Sequence, residues 1–300
     1  MRSLAASDLN GPNRADAPIA TCHWQLLAHA LKRSGHGDYA EILGLAWGCQ
    51  FRGPGVLFGA MTWNQVLTEV CGVVVTIERF GDPVAARTRE LDLSAAGRPF
   101  VAEVDEYHLP GHLASERHVI HAVLVLERSP AAVRFLAARS GDQVMTVTGD
   151  AYETMRGAPC RGRVEPMKLY ALTRDPIRKP SPAAVLSAVR RHLGQTHARS
   201  TLALEAFLRW AGHGDGQIDV CRAAGERYQA AKLFRHLAAH GVPEVVPVRD
   251  RLVSLADDWY LVHMLGTYDD RLVGHRRERV IRLLERLVDA EREVTAMVLR

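Results

Sequence analysis

Apolar positions along the chain fall into two regimes. Up to Leu172 they come mostly as short runs, and after it they recur at helical spacing. Near the start, Leu26, Leu27, Ala30 and Leu31 follow Thr21-Cys22-His23-Trp24, a spacing that predicts a helix. Thr21 is its expected N-cap, and Ser34-Gly35-His36-Gly37 its stop. A short helix is expected over Asp38–Ala46 and another near Trp63–Cys71. Val73–Ile77 is a β-branched run and reads as a strand. Asp92–Ala96 reads as loop or short helix. Strands are then expected at Phe100–Val104, Ala122–Glu127, Val133–Ala137, Val144–Val147 and Lys168–Leu172. The short turn at Ser129-Pro130 favours antiparallel pairing.

From Asp175-Pro176 to Pro180-Ser181-Pro182 the chain is Pro-rich, a linker composition. Beyond it, Val185–Leu193, Leu202–Trp210, Ala230–Ala239 and a long segment from Arg276 carry helical periodicity. The reading is an arm over residues 1–17, an α+β domain over 18–174 and an all-α region over 182–300. No repeat of fixed period is evident.

A chain of 300 residues suits about two domains. With 47% hydrophobic and 24% charged residues it is an ordinary globular composition rather than a disordered one. No apolar run reaches the length of a membrane span, and the first residues lack a secretory pattern, so the expectation is a cytoplasmic protein without a membrane partner. A net charge of +4 is too small to argue for nucleic acid. All but four of the 38 basic residues are Arg. That bias suits a GC-rich coding sequence, and Arg forks also suit phosphate and carboxylate contacts. The arginines Arg271, Arg276, Arg277 and Arg279 before the last helix read as a solvated face or as a docking patch. Asp257-Asp258 and Asp269-Asp270 read as helix-start or loop acids.

The five cysteines include no C-x-x-C pair, which points to free thiols. Cys22 would lie in the first turn of its helix, where unpaired N–H groups and the helix dipole favour a thiolate. A histidine opening a strand about 100 residues later completes the order found in papain-like enzymes. His121 leads the strand Ala122–Glu127, and His118 is the other choice for the base. Asp142, after the next strand, is the nearest acid to orient the imidazole. Cys49, in a Gly-rich loop, has no helix start behind it. That loop has no phosphate-loop pattern, and His118 and His121 lack the partners of a zinc site, so no metal is expected.

Cys22-His23-Trp24, the segment Val104-Asp105-Glu106-Tyr107-His108-Leu109-Pro110, and His118-Val119-Ile120-His121 entering a strand resemble the BtrH-type family. Its founding member is an acyltransferase of butirosin biosynthesis. The likeness spans about residues 18–172 by motif and the rest by helical character only. It implies a papain-like fold and a cysteine acyltransferase of specialised metabolism. Such an enzyme takes an acyl group from the phosphopantetheine thioester of a carrier protein. It passes the group through an acyl-cysteine to an amine, with no cofactor of its own. On this resemblance Cys22 is the nucleophile and His121 the base. Asp142 lies a few residues beyond the family's acid, so a triad and a dyad both stay open. The oxyanion donors would be the Cys22 N–H and Gln50 or Gln25. Trp24 and Tyr107, with Asp105 and His108, are candidates for the acyl-pocket wall, or for purely structural roles. A thioesterase or peptidase would use the same residues, and a scaffold protein would have lost the competent site.

Overall fold

The computed structural model describes residues 22–33, 50–51, 57–58, 67–110, 120–137, 143–157, 167–172, 180–213, 218, 220–267 and 275–300. They form two compact units. One comprises the described residues of 22–40 and 72–177, and the other those of 41–71 and 178–300.

The first unit is α+β. Its helices are α1 (Cys22–Arg33), α2 (Pro83–Ala95) and α3 (Gly149–Gly157). A hairpin of the second unit, β1 (Gln50–Phe51) and β2 (Leu57–Phe58), precedes the main strands. These are β3 (Val75–Phe80), β4 (Phe100–Asp105), β5 (Ile120–Arg128), β6 (Ala132–Ala137), β7 (Val144–Thr148) and β8 (Met167–Leu172). They make one sheet in the order β3-β8-β4-β5-β6-β7, antiparallel throughout. The last strand in sequence therefore enters between β3 and β4.

Side chains alternate across a strand, so register assigns each residue a face. On one face Phe100, Ala102, Val104, Val123, Val125, Phe135 and Leu169 pack with Leu93 of α2 and with Tyr152 and Met155 of α3. On the other face Val101, Ala122, Leu124 and Leu136 are also buried. Helix α1 packs against β4, β5 and β6. Its buried Leu26, Leu27, Ala30 and Leu31 are not part of the α2–α3 cluster, so α1 covers this second face. Both faces of the sheet are thus sealed, which explains why β4 is buried at every position.

Helix α2 covers a stretch of which only Asp92–Ala96 was given a reading, as loop or short helix. It is specified instead by its start. Asp82 accepts hydrogen bonds from the N–H groups of Val84 (2.9 Å) and Ala85 (3.3 Å), and Pro83 sits in the first turn. Helix α3 begins where Gly149 passes against the turn before β6, with its N–H donating to the Ala131 carbonyl at 2.9 Å.

The second unit contains α4 (Pro182–His213), α5 (Cys221–Ala239), α6 (Val246–Thr267) and α7 (His275–Leu299). The two helices expected over 185–193 and 202–210 are one, running unbroken through Gly194. Asp257 and Asp258 are interior to α6, not at a helix start or in a loop. The Tyr228 hydroxyl donates to Asp257. Arg227 is fully buried among these helices, its Nε donating to Glu291 Oε1 at 2.6 Å. Trp259 Nε1 donates to the same oxygen at 2.7 Å. Among the described residues no helix is long and apolar enough to cross a membrane.

Candidate functional site

Helix α1 begins at Cys22. Its first turn carries no acidic residue and its last turn carries Lys32 and Arg33, which suits the helix dipole. The side chains of Cys22, Trp24 and Gln50 lie outside the described residues, as do Thr21, His118 and Asp142. Gln25 is half-buried on α1.

His121 is the second residue of β5 and is 8% exposed. It pairs across the ladder with Val104. Directly paired residues of neighbouring strands point to the same side. His121 therefore shares its face with Val104, Val123 and Val125, the face that α2 and α3 cover. Helix α1 is on the other. The structure does not bring His121 to the face of the helix that Cys22 leads.

The segment after β4 forms a small polar site of its own. Asp105 ends β4 and is fully buried. Its Oδ1 accepts the Tyr107 N–H at 3.1 Å, which starts the single 3-10 turn Glu106–His108. Its Oδ2 lies 3.9 Å from His108 Nε2. The His108 ring meets the Tyr107 ring edge to face, with centroids 5.1 Å apart. Tyr107 is half exposed, and the His108 side chain is 30% exposed. By alternation Asp105 and the buried Glu103 lie on the α1 face of the sheet. At 3.9 Å the carboxylate and the imidazole lie beyond hydrogen-bond length, and with the exposed Tyr107 they can line a pocket. From the sequence these three residues were candidates for a pocket wall or for purely structural roles. The pairing of Asp105 with His108 was not foreseen, although Asp-x-x-His turning on a short helix is its local signal.

On the opposite face a buried ion network joins α2, α3 and β5. Glu90 is fully buried and pairs with both Arg128 and Arg156. Burial lowers the Arg128 pKa from its ordinary value, and the neighbouring Arg156 and Arg87 charges add to that, while Tyr152 and Glu153 oppose it. Sequence reasoning missed this network, because Glu90, Arg128 and Arg156 come from three elements far apart in the chain. Among the described residues no group of three or more His, Cys, Asp or Glu side chains is arranged to hold a metal ion.

No protein-family profile matches the chain, and no curated protein matches it.

Proposed function

We propose that this protein is a cysteine acyltransferase of papain-like fold, acting in the cytoplasm on an acyl group carried by an acyl or peptidyl carrier protein. The observation that carries the reading is a helix that starts at Cys22 and packs on an antiparallel sheet. That is the setting in which a thiol is activated by a helix N-terminus. The motif likeness of Cys22-His23-Trp24 and of Val104–Pro110 to the BtrH-type family supplies the substrate class.

In the first step the Cys22 thiolate attacks the thioester carbonyl. A carbon–sulfur bond forms to Cys22, the bond to phosphopantetheine breaks, and the carrier thiol leaves with a proton. An amine then attacks the acyl-cysteine. A carbon–nitrogen bond forms, the Cys22 carbon–sulfur bond breaks, and the amine proton passes to the base. The first exchange is close to isoenergetic, and the amide product draws the second forward. His121 and His118 are the candidate bases. His121 is the base that the motif likeness favours, and His118 is its alternative. Tyr107 and Trp24 are proposed to contact the acyl chain, Gln50 to help bind the oxyanion, and Asp142 to orient the base.

The placement of His121 also favours a second reading, a scaffold that kept the fold and lost the competent pair. One experiment separates the two. Incubation with a panel of acyl carrier proteins, read by intact mass, should add the acyl mass to the wild-type protein. Cys22→Ala should stay unmodified, and His121→Ala should acylate more slowly than wild type, with His118→Ala as the parallel test of the alternative base. An added amine should release amide rather than free acid. Free acid alone would make the protein a thioesterase, and absence of any adduct would leave the scaffold.

A further inference from the structure

The ion network between α2, α3 and β5 is out of balance. Among the described residues Arg87, Arg128 and Arg156 face two carboxylates, Glu90 and Glu153. Arg156 donates from Nε (2.9 Å) and Nη2 (2.6 Å) to Glu90 Oε1 and from Nη1 to the Glu103 carbonyl at 2.5 Å. Arg128 pairs with Glu90 and with Glu153. Arg87 Nε lies 3.6 Å from the Glu153 carboxylate. Among these groups one positive charge is left over, and it belongs to the half-exposed Arg87 at the cavity mouth.

These five side chains line one small open cavity of about 30 Å³. Exposure grades from mouth to floor. The side chains of Arg87 and Glu153 are 47% and 34% exposed, and those of Arg128 and Arg156 are 3% each. The cavity is below the range that encloses a drug-sized ligand, so it fits one charged group and not a whole cofactor. Tyr152 lies beneath Arg128, whose guanidinium stacks over its ring at 4.9 Å, and its buried hydroxyl has no hydrogen-bond partner among the described residues.

We propose that this cavity is a binding site for an oxyanion, the phosphate or carboxylate group of a ligand, held by Arg87 at the mouth and by Arg128 and Arg156 at the floor. Guanidinium forks match both groups in geometry and charge. An oxyanion here would balance the third arginine without displacing either glutamate. The site is on the sheet face away from α1 and does not depend on acyl transfer.

The test titrates the full-length protein with inorganic phosphate and, separately, acetate, at constant ionic strength set with chloride. Binding is read by calorimetry and by thermal shift. Saturable binding above the chloride control is expected for one of the two anions. Tighter phosphate binding assigns a phosphate-bearing ligand, and tighter acetate binding a carboxylate. Arg87→Gln removes a half-exposed side chain and should fold normally while weakening the anion by about fivefold or more. Glu153→Gln should tighten it, because one competing carboxylate is gone. Lack of saturation with either anion, or equal affinity in wild type and Arg87→Gln, would overturn the proposal. Arg87→Gln decides the matter alone if Glu153→Gln does not fold.

Discussion

Cys71 ends the turn Leu67–Cys71 and has no exposed surface. Burial pushes its thiol up to about 12. The thiolate is the reactive form, so at pH 8 only about one molecule in ten thousand carries it by the acid–base relation alone. Iodoacetamide at pH 8 should leave Cys71 unmodified in the native protein and alkylate it fully in urea, as peptide mass mapping would show. Labelling in the native state would mean that this turn opens readily. A contrast between local and long-range settings explains which features of the candidate site residues the sequence could reveal. A cysteine at a helix start is a local property, so Cys22 as the first residue of α1 was legible. The face on which His121 lies depends on strand register, which the pattern at 118–127 does not fix. A shift of one residue would have placed it on the α1 face. Arg128, Arg156 and Glu90 are brought together from three distant elements, so their network left no trace in any single stretch of sequence.

At the scale of elements, α3 is fitted tightly against the β5–β6 turn. A Cβ on Gly149 would lie 2.1 Å from the Pro130 carbonyl oxygen, a backbone atom that cannot rotate away. Gly149→Ala should therefore lower the unfolding free energy by about 1–3 kcal/mol, the usual cost of overpacking. Urea unfolding would measure it. Because α3 carries Arg156, a shift of the helix should also weaken the oxyanion site, while Gly212→Ala, with nothing within 4 Å and far from the cavity in sequence, should do neither. The six strands of the sheet were readable because they are short β-branched or apolar runs between turns. Helices α2 and α3 were not, since each turns charged groups inward. The buried residues of α2 are Ala86, Glu90 and Leu93, and those of α3 include Arg156 beside Tyr152 and Met155. An apolar stripe is absent where an ion network takes its place. Helix α6 was hidden for a related reason. Its buried Leu252, Leu255, Ala256, Trp259 and Val262 run past the acids Asp257 and Asp258, which look like a break in sequence.

On the scale of the molecule, the Pro-rich stretch before α4 marks a change from strands to helices, but the chain crosses between units more than once. The helical unit takes in the described residues of 41–71 as well as α4–α7. Leu67 and Cys71 are fully buried, α4 packs against their turn and against β1, and α5 packs against β2. Arg191 of α4 also pairs with Glu69 at 2.6 Å, although that contact is half exposed and adds little. Burying a leucine-sized side chain is worth about 1.5–3 kcal/mol. A fragment cut at the linker, residues 182–300, would bare the surface that these earlier residues cover. It should keep its helical circular dichroism, because the α4–α7 core and the Arg227–Glu291–Trp259 cluster are intact within it. Its thermal transition should be broad, and it should bind a hydrophobic dye. Joining residues 41–71 to its N-terminus through a flexible linker should sharpen the transition and reduce dye binding. A fragment 182–300 that melts as cooperatively without them would show that the helical core closes on its own.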